Sequence, residues 1–120
     1  KKLFIRYGGP VESSRGFVLH SDEIIRKESL NISKAIALTS TLDFFEDLAK
    51  GKGPKNSILA LGYAGWTSGQ LENEIMENSW MTLKVNTDFL FDEEVSKKWF
   101  EAYKILGIDP MKLSSFSGRA

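Results

Sequence analysis

Gly65-Trp66-Thr67-Ser68-Gly69 follows an apolar run and leads into a segment with helical spacing, the order strand, turn, helix. A serine at the apex of such a turn is the setting of a nucleophile elbow. That motif needs Gly-x-Ser-x-Gly, because both glycines relieve crowding around a strained nucleophile. Here Ser68 stands directly beside Gly69, so the spacing is wrong, and the lone histidine, His20, is the one available base. Phosphate binding is the second chemistry to test. Gly62-x-x-Gly65-x-x-x-Gly69 is neither the dinucleotide fingerprint nor a Walker loop. A glycine turn at a helix N-terminus still offers free N–H groups to an anion. Thr67 and Gln70, however, have the spacing of a capping box that occupies those donors, and Glu72 and Glu74 add negative charge. The segment therefore reads as a structural joint. Gly62 and Gly65 would admit close approach of strand and helix. Trp66 and Trp80 would pack the two ends of the helix against a sheet.

His20, Asp22 and Glu23 form the nearest thing to a metal set, but zinc favours more nitrogen or sulfur ligands. His20 is expected to end a strand and hydrogen-bond locally. The carboxylates Asp92, Glu93 and Glu94 are explained by a helix start, where the macrodipole favours anions. Arg15, between a Gly-Gly-Pro turn and an apolar strand, has the donors to clamp a carboxylate of a ligand or of the protein itself; an internal ion pair is expected. No catalytic, cofactor-binding or metal residue is assigned. The candidate functional surface comprises Arg15, His20, Trp66, Thr67, Ser68, Gln70, Glu72 and Glu74.

Composition narrows the classes. A chain of 120 residues is one domain's worth or less, and 42% hydrophobic content suits a packed core. Sixteen basic and 16 acidic residues give zero net charge, without the basic stripe of a nucleic-acid binder. With no cysteine there is no disulfide, thiolate nucleophile or zinc ribbon. No apolar run approaches the roughly 20 residues of a membrane span. The chain opens KKLFIRYGGP, already strand-like and without Met, and is expected to be a piece of a longer protein.

The elements that must position these residues follow from periodicity and breakers. Strands are expected at 3–7, stopped by Gly8-Gly9-Pro10, at 17–20, 35–38, 57–63 and 80–85. Residues 21–33 read as loop with a helical turn or an edge strand. The run at 57–63 suits a central strand buried on both sides. A first helix begins near Ser40, with Asp43 in its first turn and Leu42, Phe45 and Leu48 on one face, and ends at the Gly-Lys-Gly-Pro stretch. A second follows the Thr67 cap, with Leu71, Ile75 and Met76 inward. Residues 86–91 read as a turn and a short apolar piece. A last helix starts at Asp92, carries Val95, Trp99, Tyr103 and Leu106 on one face, and stops at Gly107, ahead of Pro110. No repeat or linker divides the chain, so 1–120 reads as one domain.

The segments GGPV (8–11), RGFVLH (15–20), LGYAGWTSGQLENEI (61–75) and the closing LGIDPMKLSSFSGRA, in this order, resemble the YqgE/AlgH family of bacterial proteins. The resemblance spans essentially the whole chain. It implies a cytoplasmic α+β protein, with a curved mixed β-sheet or barrel-like core flanked by about three helices and lacking the family's N-terminal segment. The family carries a transcriptional-regulator label but brings no catalytic mechanism and no DNA-binding motif to transfer. It closes on Gly-His-Ala where this chain has Gly118-Arg119-Ala120. The expected function is a non-enzymatic binding or regulatory module acting through a protein partner, without membrane or direct nucleic-acid binding. The alternative is a hydrolase-like site combining Arg15, His20 and Glu72.

Overall fold

The structure, a computed structural model, describes residues 4–92, 94–109 and 111. Its elements are β1 (Ile5–Tyr7), β2 (Val11–Ser21), β3 (Leu30–Ser33), β4 (Ile36–Thr39), α1 (Leu42–Ala49), β5 (Ser57–Tyr63), α2 (Gln70–Met76), α3 (Thr87–Leu90) and α4 (Val95–Leu106). Two compact units meet in sequence at Gln70 and Leu71.

The first unit is one mixed sheet in the order β1-β5-β2-β4-β3. β1 runs parallel to β5, and the other pairs are antiparallel. The sheet is open, so the barrel-like alternative is not adopted; among the described residues β1 and β3 are its edges. One face is set by register. Val18 lies opposite Leu59 on β5 and Thr39 on β4, and His20 opposite Ser57 and Ala37. Helix α1 covers this face with Phe44 and Leu48, which form the core with Val18; Ile24, Phe45 and Leu59 pack around it. Phe44 is 1% exposed, and burial of such a side chain stabilises by about 1.5–3 kcal/mol. β5 has the expected bounds and central place, although most of it is half-buried.

Several expectations give way to geometry. β2 is longer than 17–20 because the chain leaves the Gly-Gly-Pro turn already alongside β5, with Val11 opposite Tyr63. The edge-strand reading of 21–33 is met by β3. The cap of α1 is Thr41 rather than Ser40, and its inward residues are Phe44 and Leu48, while Leu42 is 72% exposed. Leu48 is inward as read, while Phe44 takes the buried place expected of Phe45, which packs beside the core.

In the second unit, residues 80–85 form no strand. Their alternation is real, but a strand needs a hydrogen-bonding neighbour, and among the described residues none pairs with them. Residues 87–90 instead make the short helix α3, capped by Asn86 Oδ1 accepting from Phe89 N at 2.9 Å. Four helices thus stand among the described residues where about three were expected. Glu94, not Asp92, stands at the N-cap position of α4, without a side-chain capping bond, and Asp92 accepts the Glu94 N–H just outside the helix at 3.0 Å. The helix ends as read, at Gly107 in the left-handed region, with Ile108 N donating to Tyr103 O at 3.0 Å. Trp99 packs edge-on against Phe100 and Tyr103, with centroids 5.0 and 4.6 Å away. Glu93, Pro110 and the closing residues 112–120 lie outside the described residues.

Candidate functional site

Two polar clusters of the first unit involve the candidate residues. One is sealed. His20 has no exposed surface. Its Nδ1 lies 2.8 Å from Ser21 O, and its Nε2 lies 2.7 Å from Thr39 Oγ1. A carbonyl only accepts, so Nδ1 carries the proton, and in the neutral ring Nε2 then accepts the Thr39 hydroxyl. Thr39 in turn accepts from Ser29 Oγ at 2.6 Å, and Ser29 accepts the Arg26 N–H at 2.9 Å. Every donor in this chain points the same way, toward the imidazole. Phe44 covers the ring at 4.6 Å, and the Arg26 guanidinium lies over the Phe44 ring, 5.6 Å from its centroid, and pairs with Asp47. The histidine is a satisfied core group that ties β2 to β4, with no lone pair left for a substrate.

The other place is open, and backbone irregularity builds it. Between the pairs Val11–Tyr63 and Gly16–Leu61, five steps of β2 (16 − 11) face two of β5 (63 − 61), leaving three extra residues. Such bulges re-aim side chains. Glu12, inside the bulge, has φ 45°, a conformation that non-glycine residues hold at a cost of about 1–2 kcal/mol. The bulge turns Arg15 back so that Nη1 lies 3.6 Å from Glu12 Oε2, with both side chains about half exposed (52% and 50%). The Arg15 guanidinium also stacks over Phe17, 5.0 Å from its centroid. Phe17 meets Tyr63 edge-to-face at 5.7 Å. The hydrogen bond from the Tyr63 hydroxyl to Glu12, more than burial or charge, raises the phenol above its ordinary 10.0.

Gly62 lets this corner close. A Cβ there would fall 2.3 Å from Gly9 O and 3.1 Å from both Ser13 Cα and Val11 O, and its φ is 76°. The close approach expected at this joint therefore exists, but it joins β5 to the Gly-Gly-Pro turn rather than to helix α2. Gly65 meets nothing nearer than the Tyr63 ring at 3.8 Å. The tryptophans are also less enclosed than read: Trp66 is 37% and Trp80 50% exposed. Trp80 Nε1 donates to Glu74 Oε1 at 2.8 Å.

Of the remaining candidate residues, Thr67, Ser68, Gln70 and Glu72 are exposed, and Glu74 is half-buried. Gln70 Oε1 accepts the Thr67 N–H at 3.0 Å, the backward half of the expected capping box; the Thr67 hydroxyl donates to the same oxygen at 3.1 Å. Arg15 and His20 do not converge. They lie five residues apart on β2, roughly 16 Å at the usual strand rise, one at the surface and one buried. Arg15 does form an ion pair within the protein, but an exposed one. Glu12, Phe17 and Tyr63, which complete its surroundings, were not among the candidates. The missed signal is the glycine pair at 9 and 62, which marks where two backbones cross.

The first unit thus defines an α+β protein whose open mixed sheet bears an exposed charged–aromatic cluster and encloses its one histidine. Residues 1–111 match the family model described as DUF179, AlgH-like; the chain belongs to this family, as the resemblance in its motifs implied. A UPF0301 protein of Jannaschia sp. is 50% identical over 116 residues, covering 95% of this chain and 60% of the relative. The UPF0301 protein SPO0296 of Ruegeria pomeroyi is 47% identical over 117 residues, covering 97% and 64%. The solution structure of the AlgH protein from Pseudomonas aeruginosa matches with a TM-score of 0.76 at 36% identity, over 92% of this chain and 58% of that one. The chain thus spans about 60% of the length of the relatives it matches.

Proposed function

We propose that this chain is part of a non-enzymatic binding or regulatory module that works through a protein partner, with Arg15 at the centre of the contact and Glu12, Phe17 and Tyr63 around it. The observation that carries this reading is the exposed Arg15 held on an aromatic ring beside a strained Glu12. Arginine and tyrosine dominate binding hot spots, and stacking on Phe17 restricts the guanidinium before a partner arrives. The ion pair with Glu12 is worth only about 0–1 kcal/mol at this exposure, so a partner carboxylate can compete for it. The burial of His20, away from Arg15, speaks against the hydrolase alternative.

Any regulatory role runs through that partner rather than through DNA. Zero net charge leaves little electrostatic attraction for a phosphate backbone. The absence of cysteine fits a reducing compartment, and we place the protein in the cytoplasm. No helix among the described residues is long and apolar enough to cross a membrane. The test is affinity capture from the source bacterium with the full-length protein and its Arg15→Ala variant. A partner retained by the first and lost by the second, at equal melting temperature, supports the reading; a partner set indifferent to Arg15 refutes it. A mobility-shift titration across salt checks the DNA clause and should show no salt-dependent affinity.

A further inference from the structure

Glu12 and Arg15 stand three residues apart on β2. On a regular strand an odd spacing puts two side chains on opposite faces. Here they meet because the bulge between Val11 and Gly16 and the φ of 45° at Glu12 turn one toward the other. That conformation is costly for a residue other than glycine or asparagine. The exposed ion pair that it creates returns little stability. The backbone therefore does not select glutamate at this position, and neither does the strength of the pair. At 3.6 Å the contact is also too long for a hydrogen bond. Among the described residues the Arg15 guanidinium makes no hydrogen bond, although it lies over the face of Phe17. Its planar fork of N–H donors suits a carboxylate held at two points, and it is oriented without being used. The Tyr63 hydroxyl is a second donor, turned to the same Glu12 carboxylate.

We propose that the Glu12 carboxylate is an internal stand-in for an acidic side chain of the partner, which displaces it and takes the Arg15 fork and the Tyr63 hydroxyl. The inference rests on the reading of Arg15 as the centre of a protein contact, and it adds the chemistry of the group that arrives there. The site itself selects a carboxylate, because it already holds one against a guanidinium and a phenol. Those donors balance a single negative charge. The displaced Glu12 stays close by on its bulge, where it repels a phosphate dianion more than a monoanion. Displacement needs only rotation of a side chain that is already half exposed, and water solvates it once released. The bulge stays in place, because Ser13 and the Val11 carbonyl lie close against Gly62. The exchange swaps one carboxylate for another, so Arg15 is not left bare before the partner arrives.

The experiment is an NMR titration of the full-length protein, at constant ionic strength, with N-acetylglutamic acid α-amide, which carries one side-chain carboxylate. Its glutamine counterpart and inorganic phosphate are the comparison ligands, and Glu12→Gln and Arg15→Ala are the variants. The glutamate probe should shift the Arg15 Nε–H signal. It should also move the Glu12 carboxyl carbon toward its position in Arg15→Ala, where no guanidinium faces it. Glu12→Gln removes the competitor and should tighten the probe roughly two- to fivefold. Arg15→Ala should abolish the response, and the glutamine counterpart should give none. If Arg15 responds while the Glu12 carboxyl stays still, the ligand adds beside Glu12 and the inference fails. It fails too if Glu12→Gln binds the probe no more tightly than the native protein, or if phosphate binds more tightly than the probe. The captured partner separates this inference from the broader reading. A partner lost with Arg15→Ala but bound no more tightly by Glu12→Gln upholds the contact and refutes the displacement. A partner indifferent to Arg15 refutes the contact itself.

Discussion

Gly62→Ala tests the joint on which the exposed cluster depends. Two costs add. The residue has φ 76°, and a β-carbon in that region costs about 1–2 kcal/mol. The added carbon would also stand 2.3 Å from Gly9 O and 3.1 Å from Val11 O. Both neighbours are backbone, so relief requires moving the Gly-Gly-Pro turn, at about 1–3 kcal/mol for overpacking. Loss of unfolded-state freedom returns about 0.4–1 kcal/mol. The net expectation is about 2–4 kcal/mol, a large share of the roughly 5–15 kcal/mol that holds a domain. Gly51→Ala is the control: its φ is 75°, but nothing lies within 4 Å of the added carbon, so only the strain survives, at about 1 kcal/mol. Urea unfolding followed by far-UV circular dichroism measures both. If the two variants lie within about 0.5 kcal/mol of each other, backbone crowding at Gly62 contributes nothing and this reasoning is wrong.

Trp66→Ala should cost about 1–2 kcal/mol in the same assay, below the roughly 3–5 kcal/mol of a core aromatic, because its ring is partly in water; a loss above 3 kcal/mol would mean an enclosed ring. Thr39→Val keeps the shape but removes the acceptor of Ser29 and the donor to His20, and should cost about 1–3 kcal/mol; a neutral result would show the hydroxyl chain to be dispensable. The raised Tyr63 phenol binds its proton more tightly folded than unfolded, so its contribution is complete below pH 10.0 and is lost as pH rises through the folded value. Ultraviolet titration should show one of the three tyrosines ionising late, and Tyr63→Phe should remove that phase; late ionisation that survives the substitution would separate Tyr63 from Glu12.

What could be read from the sequence depended on how local the cause was. The last helix was legible because Gly107 stops it and its aromatic spacing is helical, both within a dozen residues. Strand β5 was legible for the same reason. The short helix α3 was not, because four residues give no period and Asn86 alone carries the cap. Residues 80–85 misled because alternation reports only that side chains could take opposite faces; whether a partner strand is present is decided elsewhere. At the site, Arg15 was visible as an unexplained charge beside a breaker cluster. Its companions were not, since Glu12 and Tyr63 meet only through a register shift that no pattern in either strand announces. His20 was correctly expected to bond locally, while its bond to Thr39, 19 residues away, needed the β2–β4 pairing to be seen.

The place of β5 between β1 and β2 also has a consequence for how the chain assembles. Ile5 waits for Leu59, 54 residues later (59 − 5), whereas β2, β4 and β3 find one another from nearby sequence. Among the described residues β5 is the one strand beside β1, so their pairing waits until the intervening residues have followed. Loop closure of that span precedes any reward from the parallel ladder. The expected slow event in folding is the arrival of β5 beside β1 and β2. Destabilising β5 should therefore slow refolding, while weakening the β3–β4 hairpin should chiefly hasten unfolding.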